Sequence, residues 1–115
     1  MIQQVLLNIL RNGAEAMQDA GIKDPTFIIR TSIKKKKNLI LIEIIDNGPG
    51  MDRKTRKQVF EPFFTTKPVG VGTGLGLSVS YFIITKNHCG ELTVSSSPGK
   101  GANFSIRLPI LRENS

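Results

Sequence analysis

The 115-residue chain has a single cysteine, Cys89, a single histidine, His88, and no tryptophan. One cysteine excludes an internal disulfide and fits a reducing compartment. One histidine excludes a multi-histidine metal site and any two-histidine catalytic arrangement. No apolar run approaches the about 20 residues that span a bilayer. The start, Met1-Ile2-Gln3-Gln4, lacks the basic stretch of a secretory signal. The expected location of this segment is the cytoplasm, whatever anchors a longer parent chain. Acidic residues are scarce too: nine Asp and Glu stand against sixteen Lys and Arg, for a formal net charge of +7. That balance favours anionic partners, whether nucleotide phosphates, nucleic acid or an acidic protein face. Four of the cations are consecutive, Lys34-Lys35-Lys36-Lys37. No aromatic residue interleaves with them as a base-stacking surface requires, so they read as a solvated hairpin tip. No nucleic-acid or membrane contact is expected. Two common phosphate motifs are also missing. Gly99-Lys100 is followed by Gly101 rather than Ser or Thr, and no G-x-G-x-x-G opens a βαβ unit.

What the chain does have is Gly72-Thr73-Gly74-Leu75-Gly76-Leu77-Ser78, alternating glycines that lead into an apolar run ending at Ile84. Glycine lets a backbone approach a ligand closely. A helix N-terminus behind such a loop carries unpaired N–H groups and partial positive charge, which suit a phosphate. Upstream, Asp46-Asn47-Gly48-Pro49-Gly50 forms a second glycine turn, this one carrying a carboxylate.

Hydrophobic spacing predicts a helix over 2–20, with Ile2, Val5, Leu6, Ile9, Leu10, Gly13 and Met17 on one broad face and Gly21 as its stop. Strands are predicted over 27–33 and 39–45, joined as a hairpin by 34–38. A short helix follows over 52–60, capped by Asp52, then a loop over 61–73 and a second long helix over 74–87. The last two strands, 91–96 and 103–108, flank the turn Ser97-Pro98-Gly99-Lys100-Gly101. A chain of this length suits one domain. The order predicts an α+β two-layer sandwich, a mixed, mostly antiparallel sheet with helices on one face.

On the first helix Asn8, Asn12, Glu15 and Asp19 fall at i, i+4, i+7 and i+11, within a sector of about 60° beside the apolar face. Two readings stand: an ordinary solvated flank, or a row of oxygen ligands for Mg²⁺, which prefers hard donors and keeps waters while holding substrate phosphates.

Four segments occur in a fixed order: VLLNILRNGAEAM (5–17), DNGPGM (46–51), VFEPFFTTK (59–67) and GVGTGLGLS (70–78). Together they resemble the N, G1, F and G2 boxes of the ATP-binding domain of bacterial sensor histidine kinases. The tail HCGELTVSSSPGKGANFSIRLP (88–109) is similar to that family's final hairpin. The resemblance covers almost the whole chain. It implies the Bergerat-type ATP-binding fold shared with type II topoisomerases, a heat-shock chaperone and a mismatch-repair ATPase. Residues 1–115 would be a partial domain that begins inside the N-box helix. The family's first strands and its dimerisation and phosphoacceptor hairpin are not in it.

The resemblance also implies roles and cofactors, namely ATP and Mg²⁺. Asp46 would accept a hydrogen bond from the adenine amino group, discriminating against guanine, with Gly48 and Gly50 letting the backbone bend under the base. Asn12, helped by Asn8, would hold Mg²⁺ against the phosphates, leaving Glu15 and Asp19 as surface charges. Gly72, Gly74 and Gly76, with Thr73 and Leu75 between them, would present main-chain N–H groups to the phosphates. Lys67 has two readings, a γ-phosphate contact or a mobile solvated side chain. Phe60, Phe63 and Phe64 would fix a short lid, 65–73, against the core.

The implied partners are ATP, a histidine-bearing helical hairpin that receives the γ-phosphoryl group, and a receiver domain downstream. Kinase activity is not expected of the segment alone. An ATP hydrolase of the same fold and a non-catalytic nucleotide-binding module are the alternatives.

Departures from the family pattern are local. Cys89 stands where glycine is usual, Gly13 replaces a common alanine, and Ala102 replaces a threonine whose hydroxyl would support the adenine pocket. His88 reads as a structural loop residue, not the phosphoacceptor. Missing first strands would leave an open sheet edge.

Overall fold

The computed structural model describes residues 2–62, 64 and 76–110. Helix α1 (Ile2–Asp19) buries Val5, Ile9, Gly13 and Met17, four-residue steps along a single stripe. It stops where glycine permits a left-handed turn. Gly21 has φ +66°, its N–H reaches the Gln18 carbonyl at 3.0 Å, and the Ile22 N–H reaches that of Met17 at 3.0 Å. This paired bonding satisfies the last free carbonyls of the helix.

Strands β1 (Phe27–Lys34) and β2 (Leu39–Asp46) form the expected antiparallel hairpin. Its tip is a 3₁₀ turn over Lys35–Lys37, closed by Asn38 at φ 55°. Asn38 is tied in turn to Ile110 by a main-chain bond of 2.9 Å and an amide bond of 3.2 Å. Helix α2 (Arg53–Gln58) is shorter than the spacing predicts, because Val59 and Phe60 leave it to pack inward. Helix α3 (Gly76–Phe82) begins the described part of the second long helix. Its continuation, Ile83–Asn87, is π-helical rather than α-helical. Here the Thr85 hydroxyl donates to the Tyr81 carbonyl at 2.8 Å, which competes with the regular backbone ladder and loosens the turn. Strands β3 (Glu91–Ser96) and β4 (Ala102–Pro109) follow.

Among the described residues the four strands are ordered β1-β2-β4-β3, and every pairing is antiparallel. The α+β architecture is as expected; no parallel pair occurs among the described residues. Register places Ile44, Phe104, Ile106 and Leu92 on one face, where they meet Val5 and Ile9 of α1 and Leu77, Ile83 and Ile84. Alternation of side chains turns Glu43, Arg107 and Glu91 to the opposite, open face. β1 forms an end of the sheet, and its helix-side residues Ile29 and Ile33 remain 56% and 62% exposed. Its outer edge meets no other strand among the described residues, and an edge left so invites pairing with another chain. Among the described residues no helix is long and apolar enough to cross a membrane.

Candidate nucleotide site

Asp46 is the last residue of β2, paired across the sheet with Ala102 on one side and Phe27 on the other. Its side chain points to the helix-covered face, and its Oδ1 is held from two directions. The Gly48 N–H donates to it at 2.9 Å and the Ala102 N–H at 3.2 Å. Main-chain bonds of this kind fix a carboxylate far more rigidly than water does. Oδ2 is turned toward α1. A β-carbon on Gly13 would lie 3.2 Å from it.

The glycine turn beneath Asp46 is built against the β3–β4 turn. Gly50 adopts φ +74°, and a side chain there would run into the Ser97 carbonyl. The Gly99 N–H reaches the Pro49 carbonyl at 2.7 Å. Buried Ser96 joins both turns: its hydroxyl donates to the Gly101 carbonyl at 2.6 Å and accepts from the Met51 N–H at 2.9 Å. Arg56 of α2 donates to the Ser96 carbonyl at 2.8 Å. Asn47 faces the other way and secures the α1–β1 loop, accepting from the Thr26 N–H and donating to the Asp24 carbonyl, each at 2.9 Å. Gly48 is itself buried, with Met17 beside it. The carboxylate is thus held by its own glycine turn and by the start of β4, with α1 facing its Oδ2.

Asn8 and Asn12 lie one turn apart on α1, Asn12 immediately before the glycine that faces Asp46. The Asn8 amide nitrogen donates to the Gly76 carbonyl and to the Ser80 hydroxyl, both at 3.2 Å. It therefore ties α1 to the start of α3 while leaving its oxygen to be directed elsewhere. Asn12 is exposed. A pair of amide oxygens is a hard donor set, which fits a cation that retains waters and phosphate ligands. Among the described residues no group of three His, Cys, Asp or Glu could hold a metal by itself. Lys67, Gly72, Thr73, Gly74 and Leu75 lie outside the described residues, as do Phe63 and the expected lid over 65–73. Phe60 stacks on Tyr81 with ring centroids 5.3 Å apart and meets Phe104 edge-on at 6.1 Å.

Two features escaped the sequence reading. Gly13 looks there only like a weak helix residue; in the fold a β-carbon would lie 2.8 Å from the Phe27 ring. A glycine inside a strongly periodic helix was the available signal. Nor did Ala102 stand out as a support. Its side chain lacks the hydroxyl, yet its main-chain N–H holds Asp46 directly.

The lysine run lies elsewhere. A cleft of about 600 Å³ on the open face is lined by Lys34–Lys37, Leu39, Leu41, Glu91 and Arg107. It sits at the Leu39 end of β2, about 20 Å from Asp46 at the ordinary rise per residue. His88 lies toward that end too, since a β-carbon on Gly90 would meet the Arg107 carbonyl. Its Nε2 is buried without a hydrogen-bond partner among the described residues.

Comparison with known proteins agrees with this geometry. Residues 1–112 match the family described as histidine kinase-, DNA gyrase B- and HSP90-like ATPase. Signal transduction histidine-protein kinase AtoS of Escherichia coli K12 is 44% identical over 111 residues, covering 96% of this chain and 17% of AtoS. Sporulation kinase E of Bacillus subtilis 168 is 44% identical over 113 residues, covering 98% of this chain and 14% of that kinase. The chain thus spans less than a fifth of the length of these two relatives. Among solved structures, the catalytic domain of histidine kinase ThkA superimposes with a TM-score of 0.77 at 30% identity, covering 94% of this chain and 66% of that one. Full-length ShkA, solved in complex with AMPPNP, gives 0.77 at 25% identity, over 94% of this chain and 21% of ShkA. This chain, with its antiparallel sheet, covering helices and Asp46 glycine turn, belongs to the histidine kinase-, DNA gyrase B- and HSP90-like ATPase family.

Proposed function

We propose that the chain is the ATP-binding part of a two-component sensor histidine kinase. It would bind Mg-ATP and present the γ-phosphoryl group to a histidine on a helical hairpin, from which the phosphate passes to a receiver aspartate. The observation that carries this reading is the Asp46 carboxylate, clamped through Oδ1 by two main-chain N–H groups with Oδ2 directed at the helix layer. An oxygen held in that way is a preorganised acceptor for an exocyclic amine, and it rejects a base that offers a carbonyl there.

Asn12 and the Asn8 oxygen would hold Mg²⁺, and the bound ion would supply charge neutralisation for the triphosphate. Main-chain N–H groups of 72–76 would receive the phosphates, and Lys67 would reach the outermost one. Phosphoryl transfer depends on positioning and charge more than on covalent help, so the acceptor hairpin is as necessary as this site. Support for the kinase reading over hydrolysis comes from Asn8. In hydrolases of this fold a glutamate stands one turn before the metal-binding asparagine and activates water. Here that position is an amide committed to Gly76 and Ser80, and an amide is no base.

Calorimetric titration with ATP, with and without Mg²⁺, tests the reading. The wild-type chain is expected to bind ATP more tightly with Mg²⁺ present. Asn12→Ala is expected to abolish that dependence and Asp46→Asn to abolish adenine preference. Binding unaffected by either change would overturn the site. Mixing with histidine-bearing hairpins and γ-labelled ATP then separates a kinase part from a binding module, because only the former yields phosphohistidine.

A further inference from the structure

We infer that the Phe27 ring decides which adenine nucleotides the Asp46 pocket admits, closing the space beside Oδ2 to any base whose amino group carries a substituent. This inference rests on the nucleotide reading above and adds a selectivity residue to it. Three groups converge on one small volume. A β-carbon at Gly13 would lie 2.8 Å from Phe27 Cε1, 3.0 Å from Phe27 Cζ and 3.2 Å from Asp46 Oδ2. The ring tip and the ligand-facing oxygen therefore border the same point in front of α1.

Phe27 arrives there by register. It opens β1 directly opposite Asp46, so both side chains rise from the sheet on the same face. Gly13 is buried on the helix stripe that covers them. Ring and glycine form a large-and-small pair: the space a methyl group at 13 would fill is taken by aromatic carbon.

The consequence for a ligand is steric. An unsubstituted amino group needs only a small gap to reach Oδ2. An alkyl or aryl group on that nitrogen would meet the ring, which is half-buried and packed against the core beneath α1. Displacing the ring would forfeit the apolar contacts it makes with the core, at a cost in binding.

The test is a pair of titrations on the 115-residue chain, with ATP and with N6-benzyl-ATP. The wild type is expected to prefer ATP by about a hundredfold, the range that a close steric fit supplies. Phe27→Ala should cut that preference to under about tenfold by admitting the benzyl group into the vacated space. Phe27→Leu serves should the alanine variant fail to fold, and is expected to give an intermediate ratio. Gly13→Ala should weaken ATP binding in the wild-type background, with most of the loss recovered in Gly13→Ala/Phe27→Ala. A residue that merely supported the fold would weaken both nucleotides in parallel. ATP bound normally with an unchanged ratio in the Phe27 variants overturns this inference alone. A wild type that binds neither nucleotide removes the nucleotide reading and this inference with it.

Discussion

The Ala102 main-chain N–H donates to Asp46 Oδ1 at 3.2 Å, so the residue that opens β4 holds the residue that ends β2. The second donor, Gly48, comes from the turn that Asp46 itself begins. The carboxylate is consequently part of the fold as well as of the proposed site, and two substitutions should separate the roles. Asp46→Asn keeps an oxygen for both N–H groups but turns an amide nitrogen toward the ligand. It should leave the melting temperature nearly unchanged while weakening ATP binding by about 2 kcal/mol, about thirtyfold. Asp46→Ala leaves both donors unmatched and should destabilise the chain by about 1–3 kcal/mol. Calorimetry and thermal unfolding of the two variants check this.

Asn8 joins the two helices through Gly76 and Ser80, and Ser80 is fully buried and donates to the same Gly76 carbonyl at 2.9 Å. Groups sharing one acceptor are not independent. A double-mutant cycle over Asn8→Ala and Ser80→Ala, read by urea unfolding, should return a coupling of about 1 kcal/mol. Strict additivity would mean that the tie does not form in solution.

Gly50 combines φ +74° with a close approach to the Ser97 carbonyl. Alanine there would be strained by its backbone and obstructed by the neighbouring turn. Gly50→Ala should cost at least about 2 kcal/mol in unfolding free energy and loosen the turn below Asp46, weakening ATP binding in parallel.

Cys89 is a non-glycine residue at φ 53°, the left-handed cap of the π-helical turn, whose following N–H reaches from Gly90 to the Ile84 carbonyl at 2.8 Å. Left-handed backbone is costly for any residue with a β-carbon. Cys89→Gly should therefore stabilise the chain by up to about 1 kcal/mol, partly offset by the freer unfolded chain. Alanine at the same place retains the strain and should give no gain, which thermal unfolding resolves.

Asp52 caps α2. The Thr55 N–H bonded to it at 2.7 Å, helped by a side-chain hydrogen bond from Thr55 and the Lys54 charge, lowers its carboxyl from the ordinary 3.8. A folded-state value below the unfolded one stabilises above the unfolded value and is lost as pH falls through the folded one. The difference in melting temperature between wild type and Asp52→Ala should hold steady from neutral pH down to about 4 and shrink below it. A difference that persists unchanged at pH 2 would contradict the cap.

Much of the chain was legible one residue at a time. Four-residue apolar spacing located α1, Gly21 its end, Asp52 the start of α2, and the runs around Ile44 and Phe104 the central strands. These are local effects, set by backbone geometry and side-chain period within a few residues. The glycine turn that begins at Asp46 was legible as well, because a carboxylate among glycines is conspicuous in any context. Less legible was the π-helical turn over Ile83–Asn87, where a Thr85 hydroxyl competes for a carbonyl that sequence assigns to the α ladder.

The amino-acid sequence by itself determined the order of elements, the antiparallel hairpins and the family, because periodicity, turn chemistry and box motifs act along the chain. Tertiary structure alone decided what surrounds the Asp46 carboxylate. The Ala102 N–H lies 56 residues away, the Ser96 clamp belongs to another hairpin, and Phe27 reaches the site only through strand register. Such neighbours are set by the close packing of distant segments, where the absence of one methyl group at Gly13 determines where an aromatic ring can sit.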